Sequence, residues 1–372
     1  MPYFDHFATT PVRLEVQEKI SEITNNAIGN PSSVHASGRA AKSAIEEARS
    51  EIAEAIGAKS REIIFTGGGT EANNLVLWSL LRNKNKHTVT TQVEHPAVLR
   101  VLEDLNDFGV THTAVQVDAS GTVSPKDIED AIQDETGLVS VMLGNNEVGT
   151  IQPIRDISKL VRNKNIPLHS DAVQALGKIP IDVSTLEVDF LSFASHKCYG
   201  PKGVGALFIK EGSTLYPLII GGKQEQNFRA GTENVAGIAG FGLAVKLAKE
   251  SLDENIGHLR KLEDRFKKGI AESCDDAVYN GDPENHLPGI ISISFPKIRS
   301  DKMMIFLDRE SMEVSAGSAC GSGDIKPSAV LEAMGISENL NLSTLRISFG
   351  KDNTAQEVDD LVRTLSFIVN EQ

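Results

Sequence analysis

The chain has 372 residues, of which 40% are hydrophobic, and its 37 basic and 51 acidic side chains give a formal net charge of -14. A chain of this size can bury a large core and fits about two domains. The acidic excess disfavours nucleic acid as a partner, because binding to phosphates needs a basic surface.

Membrane and secreted proteins are disfavoured as well. The longest mostly apolar stretch, VAGIAGFGLAVKLA, is shorter than the roughly 18 to 20 residues of a membrane span. The amino-terminal stretch MPYFDHFATTPVRLEV does not have the pattern of a secretory signal. The cysteines Cys198, Cys274 and Cys320 are too few and too widely spaced for a disulfide framework or a zinc site. We therefore expect a soluble cytoplasmic protein without a metal centre.

Short strand-like runs alternate with helical patterns over the first half of the chain. The predicted strands are EIIFT, HTVTTQV, THTAVQVD, GLVSVML, IPLHS and VDFLSFAS. Amphipathic runs such as TEANNLVLWSLLRNK and HPAVLRVLEDLNDFG separate them. This alternation indicates an α/β fold with a mainly parallel sheet covered by helices.

The pattern changes after about residue 233. A nearly continuous helical stretch follows and ends near Cys274. The runs GIISISF, KMMIFLDRE and TLRISFG come after it. They predict a second, smaller α+β domain at the carboxyl-terminal end.

Polar residues follow the predicted strands at the points where these strands end. In open α/β sheets ligands bind at the carboxyl ends of the strands. A glycine run that opens a helix also suits a phosphate, although no P-loop lysine follows it here. Structural roles, as a tight turn or as helix caps, are the alternative for each of these residues. They are Gly67–Thr70, His95, Asn146, Asp171, Gln174, His196 and Lys197.

Lys197 is the most informative of these residues. It ends the apolar strand VDFLSFAS, where an unpaired ammonium group is costly to desolvate. A Schiff base between this amine and a carbonyl cofactor would explain a lysine at this position.

Cys320 lies in the stretch SAGSACGSGD. Glycine and serine at this density predict an exposed, mobile loop. Free cysteines are more often buried, so a cysteine in such a loop suggests a reactive thiol. We interpret Cys198 and Cys274 as structural.

A series of motifs runs from one end of the chain to the other: DHFATTP, GNPSSVHASGRAA, FTGGGTEANNL, EHPAVL, NNEVGTIQPI, SDAVQALGKIPIDV, SHKCYGPKGVGAL, RAGTENVAGI, SAGSAC and LRISFG. In kind and order they resemble the cysteine desulfurases of the NifS/IscS kind, which are fold type I pyridoxal phosphate enzymes of the class V aminotransferase family. The resemblance implies a large domain over residues 15–250, with a mainly parallel seven-stranded sheet and helices on both faces. It also implies a small α+β domain, made of residues 1–14 and 251–372, which carries a mobile cysteine loop at about 315–327.

The resemblance implies pyridoxal 5'-phosphate as the cofactor and gives the site residues their roles. Lys197 would carry the cofactor, Asp171 would pair with the pyridine N–H, and His95 would stack on the ring and act as acid and base. Arg346 would bind the substrate carboxylate with help from Asn146. The other cofactor contacts would come from Gly69, Thr70, Asn146, Gln174, Ser195, His196 and, from the second subunit of a homodimer, Thr232.

The implied reaction converts L-cysteine to L-alanine. Lys197 would move the α-proton, and Cys320 would attack the substrate sulfur and become a persulfide. An iron–sulfur scaffold or another sulfur-acceptor protein would then receive the sulfur. The alternatives are a selenocysteine lyase or another pyridoxal phosphate enzyme of the same fold, and a non-catalytic sulfur-relay or scaffold-binding protein.

Several positions depart from the pattern of the family, among them two stretches near the candidate site. The family usually has Ser-x-His-Lys, whereas this chain has ASHK, and a shift by one strand residue turns a side chain to the opposite face. The contact of Ser195 with the phosphate is therefore in question. Gln226 and Asn227 stand where Arg-Gly is common, which changes the side chains at the substrate entrance.

Overall fold

The computed structural model describes residues 2–317 and 326–371. The helices are α1 Leu14–Asn26, α2 Ala36–Ala55, α3 Gly69–Trp78, α4 Pro96–Asn106, α5 Pro125–Asp130, α6 Ile154–Arg162, α7 Val183–Leu186, α8 Val235–Glu250, α9 Leu252–Ser273, α10 Ser300–Arg309, α11 Ala329–Ala333, α12 Glu338–Asn341 and α13 Ala355–Glu371. The strands are β1 Ile63–Thr66, β2 His87–Thr91, β3 Thr111–Val115, β4 Thr136–Ser140, β5 Leu168–Asp171, β6 Phe190–Ala194, β7 Gly205–Ile209, β8 Val278–Asn280, β9 Ile290–Ser294 and β10 Thr344–Ser348. None of the helices in this part of the chain is long and apolar enough to cross a membrane.

Seven strands of the described residues form the larger sheet, in the order β1-β7-β6-β5-β4-β2-β3. The pairs from β6 through β5, β4 and β2 to β3 are parallel. β7 is antiparallel to both of its neighbours, β6 and β1. The prediction of an α/β fold with a mainly parallel sheet is therefore confirmed.

Both faces of this sheet are buried, which explains why its strands read as apolar runs. Successive side chains of a strand point to opposite faces. In β1, Ile63 and Phe65 pack in one apolar cluster with α2 and α8. Ile64, between them, packs on the other face with α3 and α4. Helices thus cover both faces, and the polar residues that follow the strands collect at one edge of the sheet.

A second, antiparallel sheet of the described residues has the order β10-β9-β8. It packs with α9, α10 and α13 around a separate apolar cluster. Phe4, from the amino-terminal end of the chain, is fully buried in this cluster. The division into residues 15–250 and residues 1–14 with 251–372 stays a prediction, and the position of Phe4 supports it.

A buried ion pair fixes the segment that follows β7. Two guanidinium nitrogens of Arg49 donate to the carboxylate of Glu225 at 2.8 Å, and the main-chain N–H of Phe65 donates to it at 2.7 Å. Glu225, Gln226 and Asn227 have φ angles of 44°, 55° and 69°, a backbone region that is unfavourable for residues other than glycine. The ion pair stabilises this strained turn beside β1.

Replacing Glu225 by glutamine should destabilise the protein, because the buried charge of Arg49 loses its carboxylate. We expect a loss of about 3 kcal/mol in the free energy of unfolding, measured by urea denaturation followed by circular dichroism. Glu46→Gln is the matched control. The Glu46 carboxylate lies 3.2 Å from the same Arg49, but its side chain is 51% exposed whereas that of Glu225 is 3% exposed. The control should cost less than about 1 kcal/mol, and equal losses in the two variants would contradict this account.

Candidate active site

The residues predicted from the strand ends converge at one edge of the larger sheet. Gly67 follows β1, Asp171 ends β5, and His196 with Lys197 follows β6. His95 caps α4 after β2. Because the carboxyl ends of these strands share an edge, residues that are distant in the sequence face a common space.

A glycine-lined cavity of about 800 Å³ opens beside the start of α3. Gly68 has a φ of 155°, which favours glycine, and a Cβ on Gly69 would lie 2.4 Å from Cγ2 of Val173. Free main-chain N–H groups at the start of a helix attract anions. The cavity is lined by Ala8, Thr9, Gly67, Gly68, Gly69, Thr70, Glu71, Asn74, His196, Lys202, Gly203, Val204 and Leu218.

The Lys197 amine is directed toward main-chain oxygens from the amino-terminal end of the chain. Its Nζ donates to the carbonyl of Phe7 at 2.6 Å and to that of Ala8 at 2.8 Å. Burial lowers the pKa of Lys197 to about 7, and the positive charges of Lys178 and Arg346 act in the same direction. This amine can therefore be neutral, and hence nucleophilic, near neutral pH.

Asp171 and His95 lie close enough to Lys197 and to each other for their charges to influence one another. Asp171 is 5% exposed, and its carboxylate accepts hydrogen bonds from Asn73 at 2.7 Å and from the main-chain N–H of Val173 at 2.9 Å. The main-chain N–H of Ala97 donates to Nδ1 of His95 at 3.1 Å, which leaves the proton of the neutral ring on Nε2. Burial lowers the pKa of His95, so the neutral imidazole is favoured.

His196 is also held in its neutral form. Burial lowers its pKa to about 4, and the charges of Lys197, Lys178 and Lys202 add to this effect. Its Nδ1 lies 3.2 Å from the hydroxyl of Thr9. An uncharged imidazole thus lines the same cavity as the start of α3.

One buried side-chain atom of Gln174 and one of Arg346 have no hydrogen-bond partner among the described residues. Nε2 of Gln174 donates to the Phe7 carbonyl at 2.9 Å, whereas its Oε1 is unpaired. Arg346 donates from its terminal nitrogens to the Asn146 carbonyl at 3.0 Å and to Asp5 at 2.8 Å, and its Nε is unpaired. Unpaired buried donors and acceptors are costly, so these atoms indicate where a ligand can bind.

Three predicted residues stand apart from this group. The Ser195 side chain is fully buried and does not line the cavity; its hydroxyl faces Gly200, where a Cβ would lie 2.1 Å from it. Thr232 lines a smaller neighbouring cavity of about 110 Å³, which shares Gly67 and Gly203 with the first. Cys320 lies outside the described residues.

Further residues of the site were not predicted from the sequence. Lys178 is a second partly buried lysine, and its amine donates to the main-chain oxygen of Lys197 at 3.0 Å. Burial raises the pKa of Glu94 to about 8, and its Oε1 accepts hydrogen bonds from Thr91 and from the main-chain N–H of Met142. Glu147 accepts a hydrogen bond at 2.6 Å from Ser328, near one end of the predicted cysteine loop. The motifs SDAVQALGK, EHPAVL and NNEVG contain these residues, but no spacing rule singles them out.

These features fit pyridoxal phosphate. A glycine-rich helix start suits the phosphate, and a buried carboxylate suits a pyridine N–H. An amine that is neutral near pH 7 suits the carbonyl group, and the unpaired Oε1 of Gln174 offers an acceptor nearby. The donors and acceptors of the site therefore match those of the cofactor.

The pKa of Lys197 can be tested through its reactivity. Only the unprotonated amine reacts with formaldehyde, so reductive methylation of Lys197 should rise as the pH increases through about 7. Lys126 is the internal control, because its exposed amine lies beside Asp130 and Glu129, which raise its pKa above the usual value for lysine. In the full chain freed of bound ligand, peptide mass spectrometry should place the midpoint of Lys197 several pH units below that of Lys126. Coinciding midpoints would refute the lowered pKa.

The chain is similar to known proteins over nearly its whole length. The chain matches the family Aminotransferase class-V over residues 2–361. It is 45% identical over 370 residues to a protein of Dictyoglomus turgidum named cysteine desulfurase IscS, which covers 99% of this chain and 94% of that protein. A solved NifS-like protein superposes with a TM-score of 0.94 at 37% identity over 100% of both chains. A structure described as SspA in complex with cysteine has a TM-score of 0.84 at 36% identity and covers 94% of this chain and 99% of that one.

The resemblance predicted from the motifs is thereby confirmed. The family match spans nearly the whole chain, and the sequence identity extends over 94% of the length of the Dictyoglomus turgidum relative. The chain belongs to the class V aminotransferase family, among its cysteine desulfurase members.

Proposed function

We propose that the protein is a pyridoxal phosphate-dependent cysteine desulfurase. The observation that carries the proposal is the Lys197 amine, which is held by the Phe7 and Ala8 carbonyls near Asp171 and beside the glycine-lined cavity, with its pKa lowered to about 7. A neutral, desolvated lysine is the nucleophile that binds a carbonyl cofactor. The names of the relatives, and the superposition on a protein with cysteine bound, support L-cysteine as the substrate.

The residues around Lys197 would hold the cofactor in place. Gly69, Thr70 and His196 would bind the phosphate in the cavity that they line. Asp171, fixed by its hydrogen bond from Asn73, would accept the pyridine N–H. Pyridoxal phosphate, when bound, supplies the electron sink that stabilises negative charge at the substrate α-carbon.

The cofactor ring would also have contacts at its face and at its hydroxyl group. His95 would lie on the ring with Nε2 carrying its proton, since Nδ1 accepts the main-chain N–H of Ala97. Gln174 and Asn146 would lie near the ring hydroxyl. The position of Ser195 gives no support to its predicted phosphate contact, because its buried hydroxyl faces Gly200.

Arg346 would bind the substrate carboxylate. It lies at the junction of the two sheets, on β10, and donates to the carbonyl of Asn146 near the end of β4. Its unpaired Nε is available as a donor, and the Asp5 carboxylate now on its terminal nitrogen marks a position that suits an acid. A planar guanidinium at this point would orient the substrate α-carbon toward Lys197.

The sulfur step requires both Lys197 and Cys320. Lys197 would take the α-proton, for which its neutral amine is suited, and would return a proton to the α-carbon before L-alanine is released. The Cys320 thiolate would attack the substrate sulfur, so that an S–S bond forms while the bond between that sulfur and the substrate β-carbon breaks. The electron pair of the broken bond ends in a C–H bond at that carbon once a proton is added. L-cysteine and the Cys320 thiol thus become L-alanine and the Cys320 persulfide, with atoms and electrons balanced.

The persulfide sulfur would pass to an iron–sulfur scaffold or another sulfur-acceptor protein. The setting of Cys320 in SAGSAC, like that of the NifS/IscS branch, supports this assignment. The free thiols of Cys198 and Cys274 support the predicted cytoplasmic location, because thiols persist in reducing compartments.

A homodimer is also part of this proposal. Large apolar side chains are exposed on two segments, with Ile28 at 80%, Val34 at 88% and Ile220 at 73% exposure. Such exposure is typical of surfaces that another chain covers. Thr232, on the exposed segment beside the cavity, would reach the phosphate of the partner subunit. A sedimentation mass of one chain for the purified protein would contradict the dimer.

Replacing Cys320 by alanine should abolish sulfur release without preventing substrate binding. With L-cysteine and a reductant, the parent protein should release both alanine and sulfide. In Cys320→Ala we expect both rates to fall by about 10³-fold or more, because the thiol that attacks the substrate sulfur is gone. The visible absorbance of the bound cofactor should still change when L-cysteine is added.

Cys274→Ala is the matched control for this experiment. Cys274 is 4% exposed and packs in the apolar cluster of the second sheet, so its loss should lower stability slightly and leave both rates unchanged. Absence of alanine from the parent protein would refute the proposed activity. Unchanged release in Cys320→Ala would refute the role of Cys320.

A further inference from the structure

Lys178 is a partly buried lysine next to the candidate active site, and the proposed reaction leaves it without a function. Its Nζ donates to the main-chain oxygen of Gln174 at 3.1 Å and to that of Lys197 at 3.0 Å. It also lies 4.8 Å from the centre of the Phe7 ring, a cation–π contact. The lysine is thus held by the main chain of two site residues and by the side chain of a third.

No carboxylate in residues 2–317 or 326–371 forms an ion pair with Lys178. Among the described residues, its hydrogen bonds go only to carbonyl oxygens, and the Cys198 thiol is the one acidic group that acts on it. Burial lowers its pKa to about 8, so the ammonium form still prevails at neutral pH. Burying an ammonium group without a counter-ion costs free energy. A neutral side chain at this position would avoid this cost, so we expect the charge of Lys178 to have a function.

The charge of Lys178 acts on the amine of Lys197, and also on His6, His196 and Cys198. After burial, Lys178 has the largest influence on the pKa of that amine. Arg346 also repels the protonated amine, but its charge is offset by Asp5 at 2.8 Å. The ionisable groups that face Lys197 are Lys178, Arg346, Asp5, Asp171, His95 and His196.

Two of the remaining groups do not compensate for Lys178. Burial lowers the pKa values of His95 and His196 and favours their neutral forms. Asp171 opposes Lys178, but its oxygens accept hydrogen bonds from Asn73 and Val173, and its influence on the pKa of Lys197 is smaller than that of Lys178. Lys178 is therefore the charged group with the largest influence on the Lys197 amine.

The same contacts attach the Lys178 amine to the main chain of Lys197. Lys197 and Gln174 both donate to the Phe7 carbonyl, and Lys178 donates to the main chain of both. The four residues form a closed hydrogen-bond network next to Ala8 and His196, which line the cavity.

We propose that Lys178 is a positioning residue whose buried ammonium group keeps the Lys197 amine uncharged and ready to bind a carbonyl group. Like charges held close together in a poorly solvated site favour the neutral form of one of them. A neighbouring cation is one of the known ways to activate a lysine nucleophile. The proposal rests on the proposed role of Lys197, and it adds a residue that acts through Lys197 without touching the substrate.

Two variants separate the charge of Lys178 from its hydrogen bonds. Lys178→Gln keeps an N–H donor for the carbonyls and removes the charge. Lys178→Arg keeps both. The full-length protein with bound cofactor is titrated with acid and base, and the pH midpoint of its visible absorbance change is recorded. The pH midpoint of Lys197 methylation is measured in the same variants after the cofactor has been removed, with thermal unfolding as the control for folding.

If the charge of Lys178 acts on Lys197, the two variants should differ in their pH midpoints. Both midpoints should rise by about one pH unit in Lys178→Gln, because a like charge near Lys197 has been lost. In Lys178→Arg both should stay at or below the parent value, because arginine remains charged at every pH used. A purely structural role would move the thermal midpoint and leave the pH midpoints in place.

An unchanged pH midpoint in Lys178→Gln would overturn the proposal, as would a raised one in Lys178→Arg. If Lys178→Gln does not fold, Lys178→Met, which also removes the charge, takes its place, and a midpoint that stays at the parent value in that variant would overturn the proposal as well. A parent protein that binds no cofactor at Lys197 would refute the proposed function instead. The methylation midpoints would still test Lys178 in that case.

Discussion

The site depends on the hydrogen bonds that the carbonyl oxygen of Phe7 accepts. It accepts hydrogen bonds from Lys197 at 2.6 Å and from Gln174 at 2.9 Å. The N–H of the same residue donates to the hydroxyl of Ser348, on the smaller sheet, at 3.0 Å. The amino-terminal end of the chain therefore joins the smaller sheet to the functional edge of the larger one. Because Asp5 on the same segment pairs with Arg346, the groups proposed for cofactor and substrate are set relative to each other by one short stretch.

Burial gives this site its chemistry. It lowers the pKa values of Lys197, His95 and His196. The two imidazoles are therefore neutral, and the Lys197 amine loses its proton at a lower pH than an exposed lysine does. Burial also raises the pKa of Glu94 to about 8, which reduces the negative charge near Asp171. The result is a site in which few full charges remain. Those that remain, above all Lys178 and Asp171, act strongly because little water screens them.

The position of the site could be predicted from the sequence, whereas several of its contacts could not. Parallel strands place their carboxyl ends at one edge, and a lysine that ends an apolar run is visible in the sequence. The antiparallel direction of β7 also has a signal, since residues 195–204 are fewer than the roughly dozen that a parallel crossover needs. Lys178 has no such signal, because its partners are main-chain carbonyls, which every residue carries. The Phe7 contact joins residues 190 positions apart, and no local pattern predicts such a pairing.

The most direct test of this account is to locate the transferred sulfur after one turnover. The protein with bound cofactor is mixed with L-cysteine without reductant, its thiols are blocked with an alkylating reagent, and its cysteine peptides are analysed by mass spectrometry. The account predicts one additional sulfur atom on Cys320 and none on the buried Cys198 and Cys274, together with one L-alanine for each persulfide. Alanine formed without a persulfide on Cys320, or sulfur found on either buried cysteine, would contradict it.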